Sequence, residues 1–339
     1  MAFVVRSILD SYDDFMENKS DPRVKDWAMM SSPFPTVIIC LIYAYSMKVI
    51  GPKLMENRKP FQLKNTLIVY NLFQVIFSTW LFYESCVSGW MNHYSLKCQP
   101  VDYSETPLAM RMARGCWWYY ISKFSEFFDT LFFVLRKKNR QISTLHIIHH
   151  GVMPLSVWFG VKFSPGGHST FFGFLNTFVH IIMYSYYLLA ALGPSYQKYL
   201  WWKKYLTTIQ MIQFVLVMVH AFQLLFIDCN YPKAFVWWIG GHAVMFYFLF
   251  SQFYNETYKD DRKEKKEKVK VDKTVKDCES EAEDDERRYN VGICFVGQTS
   301  LYDDGDNIKK IKKGYKASED NNALRNRAFI NTTITTSDS

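Results

Sequence analysis

Long apolar stretches separated by charged loops constrain this chain more than any other feature of its sequence. Each stretch has about 18 to 25 residues, enough for a helix to cross a bilayer core of about 30 Å. The stretches lie near residues 33–50, 66–90, 115–135, 147–164, 169–192, 205–227 and 234–256. We therefore predict an all-α polytopic membrane protein with seven transmembrane helices.

The charged residues are concentrated after the last apolar stretch. About half of the 72 Lys, Arg, Asp and Glu residues lie in residues 259–339, and before them only about one residue in seven is charged. Soluble domains carry about one charged residue in four, so a single soluble domain is excluded. Because the basic and acidic residues of the tail nearly cancel, we expect no nucleic-acid partner. The predicted organisation is a luminal N-terminal segment at 1–32, a membrane domain at 33–258 and a cytosolic, disordered tail at 259–339.

Basic residues favour alternate loops between the stretches. The loops after the first, third and fifth stretches, and the start of the tail, are rich in Lys and Arg. Short loops with such an excess stay in the cytosol during insertion, so we expect a luminal N-terminus and a cytosolic C-terminus. The basic residues at the cytosolic mouth of the predicted bundle are Lys53, Lys64, Arg136, Lys137, Lys203 and Lys204.

Two cysteines lie in loops on the opposite, predicted luminal side. Cys98 follows the second stretch and Cys229 follows the sixth. An oxidising compartment permits disulfides, and we predict that these two residues form one. The alternative is a pair of unbonded loop thiols.

Polar side chains inside the predicted helices form a second pattern. An ionisable group within a membrane costs several kcal/mol unless it is paired or faces a cavity, so each one is a candidate functional residue. In the third stretch the polar residues are spaced by three and share one helix face, and at the start of the fourth a histidine cluster does the same. The candidates are Lys123, Glu126, Asp129, His146, His149, His150, Asn176, His180, Gln210 and Gln213.

Counting residues from the loops estimates the depth of these groups. His150 and His180 each lie 15 residues from residue 165. In an antiparallel hairpin they are therefore level, at roughly 22 Å from the turn. Asp129 and Gln213 approach the same level, so four helices would bring polar groups to one layer. Alternatively, the charged residues of the third stretch form only a packing network and His146 is interfacial.

The other histidines do not converge on this layer. His93 and His168 are expected in luminal loops, whereas His220 and His242 are expected to pack or line a cavity.

Three interpretations of the histidine cluster are open at this point. A diiron lipid oxygenase needs on the order of eight imidazole or carboxylate ligands, whereas the chain has eight histidines in all and four lie outside the layer. A single metal held by His149, His150, His180 and a carboxylate is a variant of this interpretation. A metal-free acyltransferase would use neutral imidazole as nucleophile and base. The third interpretation is a seven-helix receptor or transporter.

Four motifs together resemble the elongases of very-long-chain fatty acids, namely Lys123–Thr130, Leu145–His150, Asn176–Tyr187 and Thr208–Phe214. Pro60–Asn65 and the turn at Cys229 are also similar to that family. The resemblance implies a 3-oxoacyl-CoA synthase of the endoplasmic reticulum, which condenses a long acyl-CoA with malonyl-CoA, releases carbon dioxide and extends the chain by two carbons. It implies malonyl-CoA as co-substrate, no metal or other cofactor, a membrane lipid environment, contacts with other elongation-cycle enzymes and a possible homo-oligomer. The chain ends in Thr335–Ser339, whereas many members of the family end in a dilysine retrieval signal. The expected location in the endoplasmic reticulum therefore rests on the implied function alone.

The residues agree with that chemistry. The basic loops would attract polyanionic CoA, and the aromatic-rich helices would enclose an apolar acyl tunnel that closes at the turn 163–168. His149 or His150, together with His180, would carry acyl transfer and enolate handling. Asn176 and Gln213 would donate to oxyanions, and Asp129 or Glu126 would orient an imidazole.

Overall fold

The computed structural model describes residues 2–259, and the predicted tail beyond them lies outside the described residues. Helices account for nearly all of the regular structure, and no strand occurs in the described range. They are α1 Ala2–Asn18, α2 Phe34–Met55, α3 Lys64–Trp90, α4 Pro107–Ser125, α5 Phe127–Leu135, α6 Thr144–Phe163, α7 Thr170–Leu192, α8 Lys203–Phe222 and α9 Lys233–Tyr254.

Five helices of the described chain are long and apolar enough to cross a membrane, namely α2, α3, α7, α8 and α9. Many of their large apolar side chains are exposed, including Leu41, Val69 and Val219. Such surfaces are typical of contact with lipid rather than water. The part of the chain that the structure describes is thus an all-helical polytopic membrane protein.

The other two predicted stretches are helical but interrupted or polar. The third contains the break between α4 and α5, together with several charged residues. The fourth is α6, which contains three histidines and an internal proline, Pro154. Neither combines the length and the apolar composition that mark the other five.

Local signals explain where the site helices begin. Thr106 caps α4 by accepting the amide of Ala109, and Ser143 caps α6 by accepting the amide of His146. Both are ordinary N-cap bonds, which satisfy a free amide in the first helical turn. The N-cap at Ser143 places the histidine cluster in the first two turns of α6.

The helices pack so that polar segments from different elements meet. α3 lies mainly against α7, α8 against α9, and α6 contacts both α2 and α4. The site helices α4 and α6 therefore lie against the more apolar α2, α3 and α9.

Three segments cover the turn between α6 and α7, and we call them the cap: residues 19–30, 91–106 and 226–232. Residues 161–168 beneath them are all buried. The Asp21 amide donates to the Lys162 carbonyl over 2.9 Å, and the His168 amide donates to the Gln99 carbonyl over 2.8 Å. Because Gly167 has φ +67° and a Cβ there would lie 2.9 Å from the Gln99 oxygen, only glycine fits this approach.

The cap is also held together internally. A disulfide joins Cys98 to Cys229, whose Cα atoms are 5.7 Å apart. The Arg23 guanidinium donates to the carbonyls of Asp102 and Ser104 at 2.9 and 2.7 Å. Since bonds cross between its segments, the cap is one connected structure.

Candidate active site

A one-residue break places Glu126 at the corner between α4 and α5. Helix α4 ends at Ser125 and α5 begins at Phe127. The Glu126 amide donates to the Ser122 carbonyl, and its own carbonyl accepts the Asp129 amide. The side chain is 2% exposed, so its carboxylate requires buried partners.

Glu126 has three such partners from three helices. It forms an ion pair with Lys123. The His180 Nδ1 atom lies 3.4 Å from one carboxylate oxygen, and the His150 Nδ1 atom lies 3.9 Å from the other. The two histidines at equal estimated depth therefore approach one carboxylate.

This contact favours one tautomer of the rings, most directly in His180, whose Nδ1 is the closer of the two. In neutral imidazole one nitrogen donates and the other accepts. A carboxylate beside Nδ1 favours the proton there, which leaves Nε2 as the basic and nucleophilic atom. His150 and His180 are each 8% exposed, so little solvent competes for that atom.

The other two histidines of α6 have different surroundings. His146 Nε2 lies 2.8 Å from the Thr130 hydroxyl, which in turn lies 2.7 Å from the Tyr43 hydroxyl. The His149 ring packs against Phe246 with a centroid distance of 4.7 Å, and its Nδ1 makes no hydrogen bond. His149 thus has a buried ring nitrogen without a hydrogen-bond partner.

Asn176 is held by its amide oxygen. This atom accepts the Tyr119 hydroxyl at 2.7 Å and the Lys123 ammonium at 3.3 Å. With the oxygen occupied by two donors, the amide NH₂ is the part that can donate to a substrate oxygen.

The remaining predicted polar residues, Asp129, Gln213 and Gln210, differ in their hydrogen-bond partners. Asp129 accepts the Tyr184 hydroxyl at 2.7 Å, and the imidazole contacts described above belong to Glu126. Gln213 is 4% exposed and its Oε1 has no hydrogen-bond partner. Gln210 donates to the Met183 sulfur at 3.5 Å.

An apolar cavity adjoins this cluster. Its volume is about 100 Å³, and side chains from α3, α4, α6, α7, α8 and α9 line it. Phe246, which packs on His149, and Tyr119, which bonds Asn176, both line it. At the far end it reaches Ser164 and Ser169, on the turn beneath the cap.

The predicted basic residues lie at the helix ends opposite the cap. Lys53 and Lys137 line a separate pocket, and the Lys137 ammonium donates to the Glu56 carbonyl at 2.8 Å. The remaining members of this group, all exposed or half-buried, are Lys64, Arg136, Lys203 and Lys204.

Several contributors were not identified from the sequence. Tyr119 and Tyr184 fix Asn176 and Asp129, but an aromatic residue in an apolar helix resembles any other packing residue. His168 was expected in a luminal loop, and although it lies in a turn it is only 2% exposed, because the cap covers it. Within the described residues no group of three or more His, Cys, Asp or Glu side chains is arranged to hold a metal ion.

The fold and the site together define a class. A polytopic helical membrane protein carries a buried cluster of imidazole, carboxylate and amide groups beside an apolar cavity, which is the arrangement expected of an enzyme that acts on lipid chains.

Comparison with known proteins gives the family. The model of the ELO: GNS1/SUR4 family matches residues 28–267. The chain is 70% identical over 258 residues to very long chain fatty acid elongase 7 of Drosophila melanogaster, covering 76% of this chain and 78% of the relative. It is 54% identical over 249 residues to very long chain fatty acid elongase 7 of Rattus norvegicus, covering 73% of this chain and 88% of the relative. Identity to very long chain fatty acid elongase 1 of Homo sapiens is 44% over 256 residues, covering 75% and 91%. The chain belongs to the ELO family.

Proposed function

We propose that this protein catalyses the condensing step of very-long-chain fatty acid elongation as a 3-oxoacyl-CoA synthase. One observation carries the proposal: His150 and His180 share the Glu126 carboxylate beside an apolar cavity suited to an acyl chain. The names of the relatives, all very long chain fatty acid elongases, support the same activity.

The first half-reaction is acyl transfer to an imidazole, and His149 is the candidate acceptor. Its ring packs on Phe246 in the cavity wall, and one of its nitrogens is unpartnered. The nitrogen lone pair attacks the thioester carbon of the acyl-CoA and the carbon–sulfur bond breaks. The departing thiolate takes the proton of the ring, so free CoA leaves and a neutral acyl-imidazole stays.

The second half-reaction forms the new carbon–carbon bond. Malonyl-CoA releases carbon dioxide, and the electrons of the broken bond form its enolate. The enolate carbon attacks the acyl carbon and breaks the carbon–nitrogen bond, which gives 3-oxoacyl-CoA two carbons longer. His180, whose protonated form Glu126 stabilises, delivers one solvent proton to restore the first imidazole.

Amide groups stabilise the negative charge that develops on substrate oxygens. Asn176 presents its NH₂ because its oxygen is bonded to Tyr119 and Lys123. Gln213 is a second donor on the neighbouring helix α8. Preorganised donors of this kind are often the largest single contribution to catalysis.

The proposed membrane arrangement has seven crossings. The α4–α5 unit and α6 connect the same two ends of the bundle as the five apolar helices, and their residues Lys123, Glu126, His149 and His150 lie at the site. The basic residues at Lys53, Lys137 and related positions would then attract CoA phosphates from the cytosol, while the cap lies in the lumen of the endoplasmic reticulum. No cofactor is required beyond the co-substrate malonyl-CoA, and other elongation-cycle enzymes or a second copy would be partners.

The test uses the purified full chain in detergent with a long-chain acyl-CoA and labelled malonyl-CoA. We expect carbon dioxide and 3-oxoacyl-CoA without added iron, oxygen or NADPH. Product only when iron and oxygen are supplied would support the oxygenase interpretation instead. His149→Ala and His180→Ala should each abolish product while the protein stays folded, and near-normal turnover in both would exclude these histidine roles.

A further inference from the structure

A second, much smaller chamber lies at the cap end of the molecule. It has room for about 10 Å³, close to a single water-sized group. Its polar lining consists of His168 and Ser169 from the α6–α7 turn, His220 from α8 and Tyr231 from the cap. None of these residues takes part in the mechanism above.

Three of these four residues have a polar atom without a hydrogen-bond partner. The unpaired atoms are His168 Nδ1, His220 Nε2 and the Tyr231 hydroxyl. The three side chains are 2%, 8% and 5% exposed. Buried polar groups are normally hydrogen-bonded, so three unpaired ones at one small chamber indicate a missing partner.

The hydrogen bonds of these side chains show whether the partner must donate or accept. His168 Nε2 lies 2.7 Å from the His220 carbonyl, so this nitrogen carries the proton and Nδ1 is an acceptor. Burial lowers the pKa of His168, which keeps the ring neutral. The Tyr231 hydroxyl can donate. A group that both donates and accepts, such as a hydroxyl, fits these atoms.

The rings are held rigidly and do not converge as metal ligands would. His168 and His220 stack in parallel, with a centroid distance of 3.8 Å and an angle of 9°. Phe171 stacks on His220 at 4.0 Å. Stacked rings direct their nitrogens side by side rather than toward one ion.

The chamber adjoins the far end of the apolar cavity. The two share the wall residues Ser169, Phe172, Val217, Phe235 and Ile239. Counted along the chain from His168 to His180, the chamber lies roughly 18 Å from the catalytic layer. The end of a bound acyl chain that lies farthest from its thioester would therefore point toward it.

We propose that this chamber is a binding subsite for a hydroxyl group at the far end of the acyl chain, so that ω-hydroxy acyl-CoAs are substrates. The hydroxyl donates to His168 Nδ1 and accepts from Tyr231. A chain of the same length ending in methyl leaves these atoms unpaired. The inference rests on the proposed condensing function, because it extends the same cavity.

The test compares two matched series of acyl-CoAs, one ending in methyl and one in hydroxyl, on the full chain in detergent. Both kcat/KM for condensation and equilibrium binding are measured at each chain length. For chains long enough to reach the chamber, we expect the hydroxyl form to be favoured about tenfold, the usual effect of one hydrogen bond. Shorter chains should show no preference.

Tyr231→Phe removes one hydroxyl of the chamber and should lower the preference at the long lengths. Tyr103→Phe is the matched control, because its hydroxyl donates to the Phe163 carbonyl at 3.3 Å and is not part of the chamber lining. Equal binding of both series by the unaltered protein at every length would overturn the subsite and show that the chamber holds only water. Absence of condensation with either series would refute the proposed function, and the binding comparison would still decide the subsite.

Discussion

Glu126 and Asp129 lie three residues apart, yet their carboxylates have different partners. Three-residue spacing in a continuous helix predicts a shared face, but the break between α4 and α5 intervenes. Glu126 approaches two imidazoles, whereas Asp129 accepts the Tyr184 hydroxyl. The sequence identified both residues as candidates and left open which one orients an imidazole.

Replacing these two carboxylates separates their roles. Glu126→Gln removes the charge that stabilises protonated His180 and fixes the imidazole tautomers, so we expect kcat to fall by roughly 10²- to 10⁴-fold. Asp129→Asn keeps a polar partner for Tyr184 and should lower kcat much less. Steady-state condensation kinetics of both variants measure this, and equal losses would contradict the assignment to Glu126.

Tyr119 is a positioning residue whose effect should appear in turnover. Tyr119→Phe removes one of the two donors that hold the Asn176 oxygen, so the amide can rotate away from the substrate oxyanion. We expect kcat to fall about tenfold with little change in KM for acyl-CoA. The adjacent Tyr120→Phe is the control, since its hydroxyl contacts Thr36 at 2.6 Å. Should both variants lose activity equally, general packing would explain the effect.

Among the helices, α4, α5 and α6, which carry polar residues, were harder to predict from the sequence than the five apolar ones. Five apolar stretches are readily recognised as helices that could cross a membrane. Residue counting also placed His150 and His180 level, because helices have a constant rise. Counting could not show the break at Glu126 or the burial of His168, since both depend on contacts between segments distant in sequence.

The cap should depend on its disulfide. Cys98 and Cys229 are separated by 131 residues, and breaking such a bond typically costs about 2–5 kcal/mol. We expect the double variant Cys98→Ser/Cys229→Ser to unfold at a lower temperature than the unaltered protein. A reductant should lower the midpoint of the unaltered protein but not that of the variant. Thermal unfolding in detergent measures both, and a midpoint insensitive to reductant in both proteins would contradict a stabilising bond.

At the scale of the whole molecule, the distribution of basic residues predicts the orientation in the membrane. Asn18-Lys19-Ser20 is a glycosylation sequon in the predicted luminal segment, and Asn331-Thr332-Thr333 is one in the predicted cytosolic tail. Glycans are added only in the lumen, so we expect Asn331 to stay unmodified. The test compares the gel mobility of the unaltered protein and of Asn331→Gln before and after glycosidase treatment. A glycan on Asn331 would show that the orientation is the reverse of the expected one.

The buried turn beneath the cap has a consequence for the timing of the reaction. Because residues 161–168 are buried beneath three bonded segments, we expect a chain that reaches this end to leave by withdrawing past the catalytic site. Each added pair of carbons then increases the apolar contact that must be broken on departure. Release should therefore slow as the product grows, and for the longest products its residence time, rather than bond formation, would limit the overall rate.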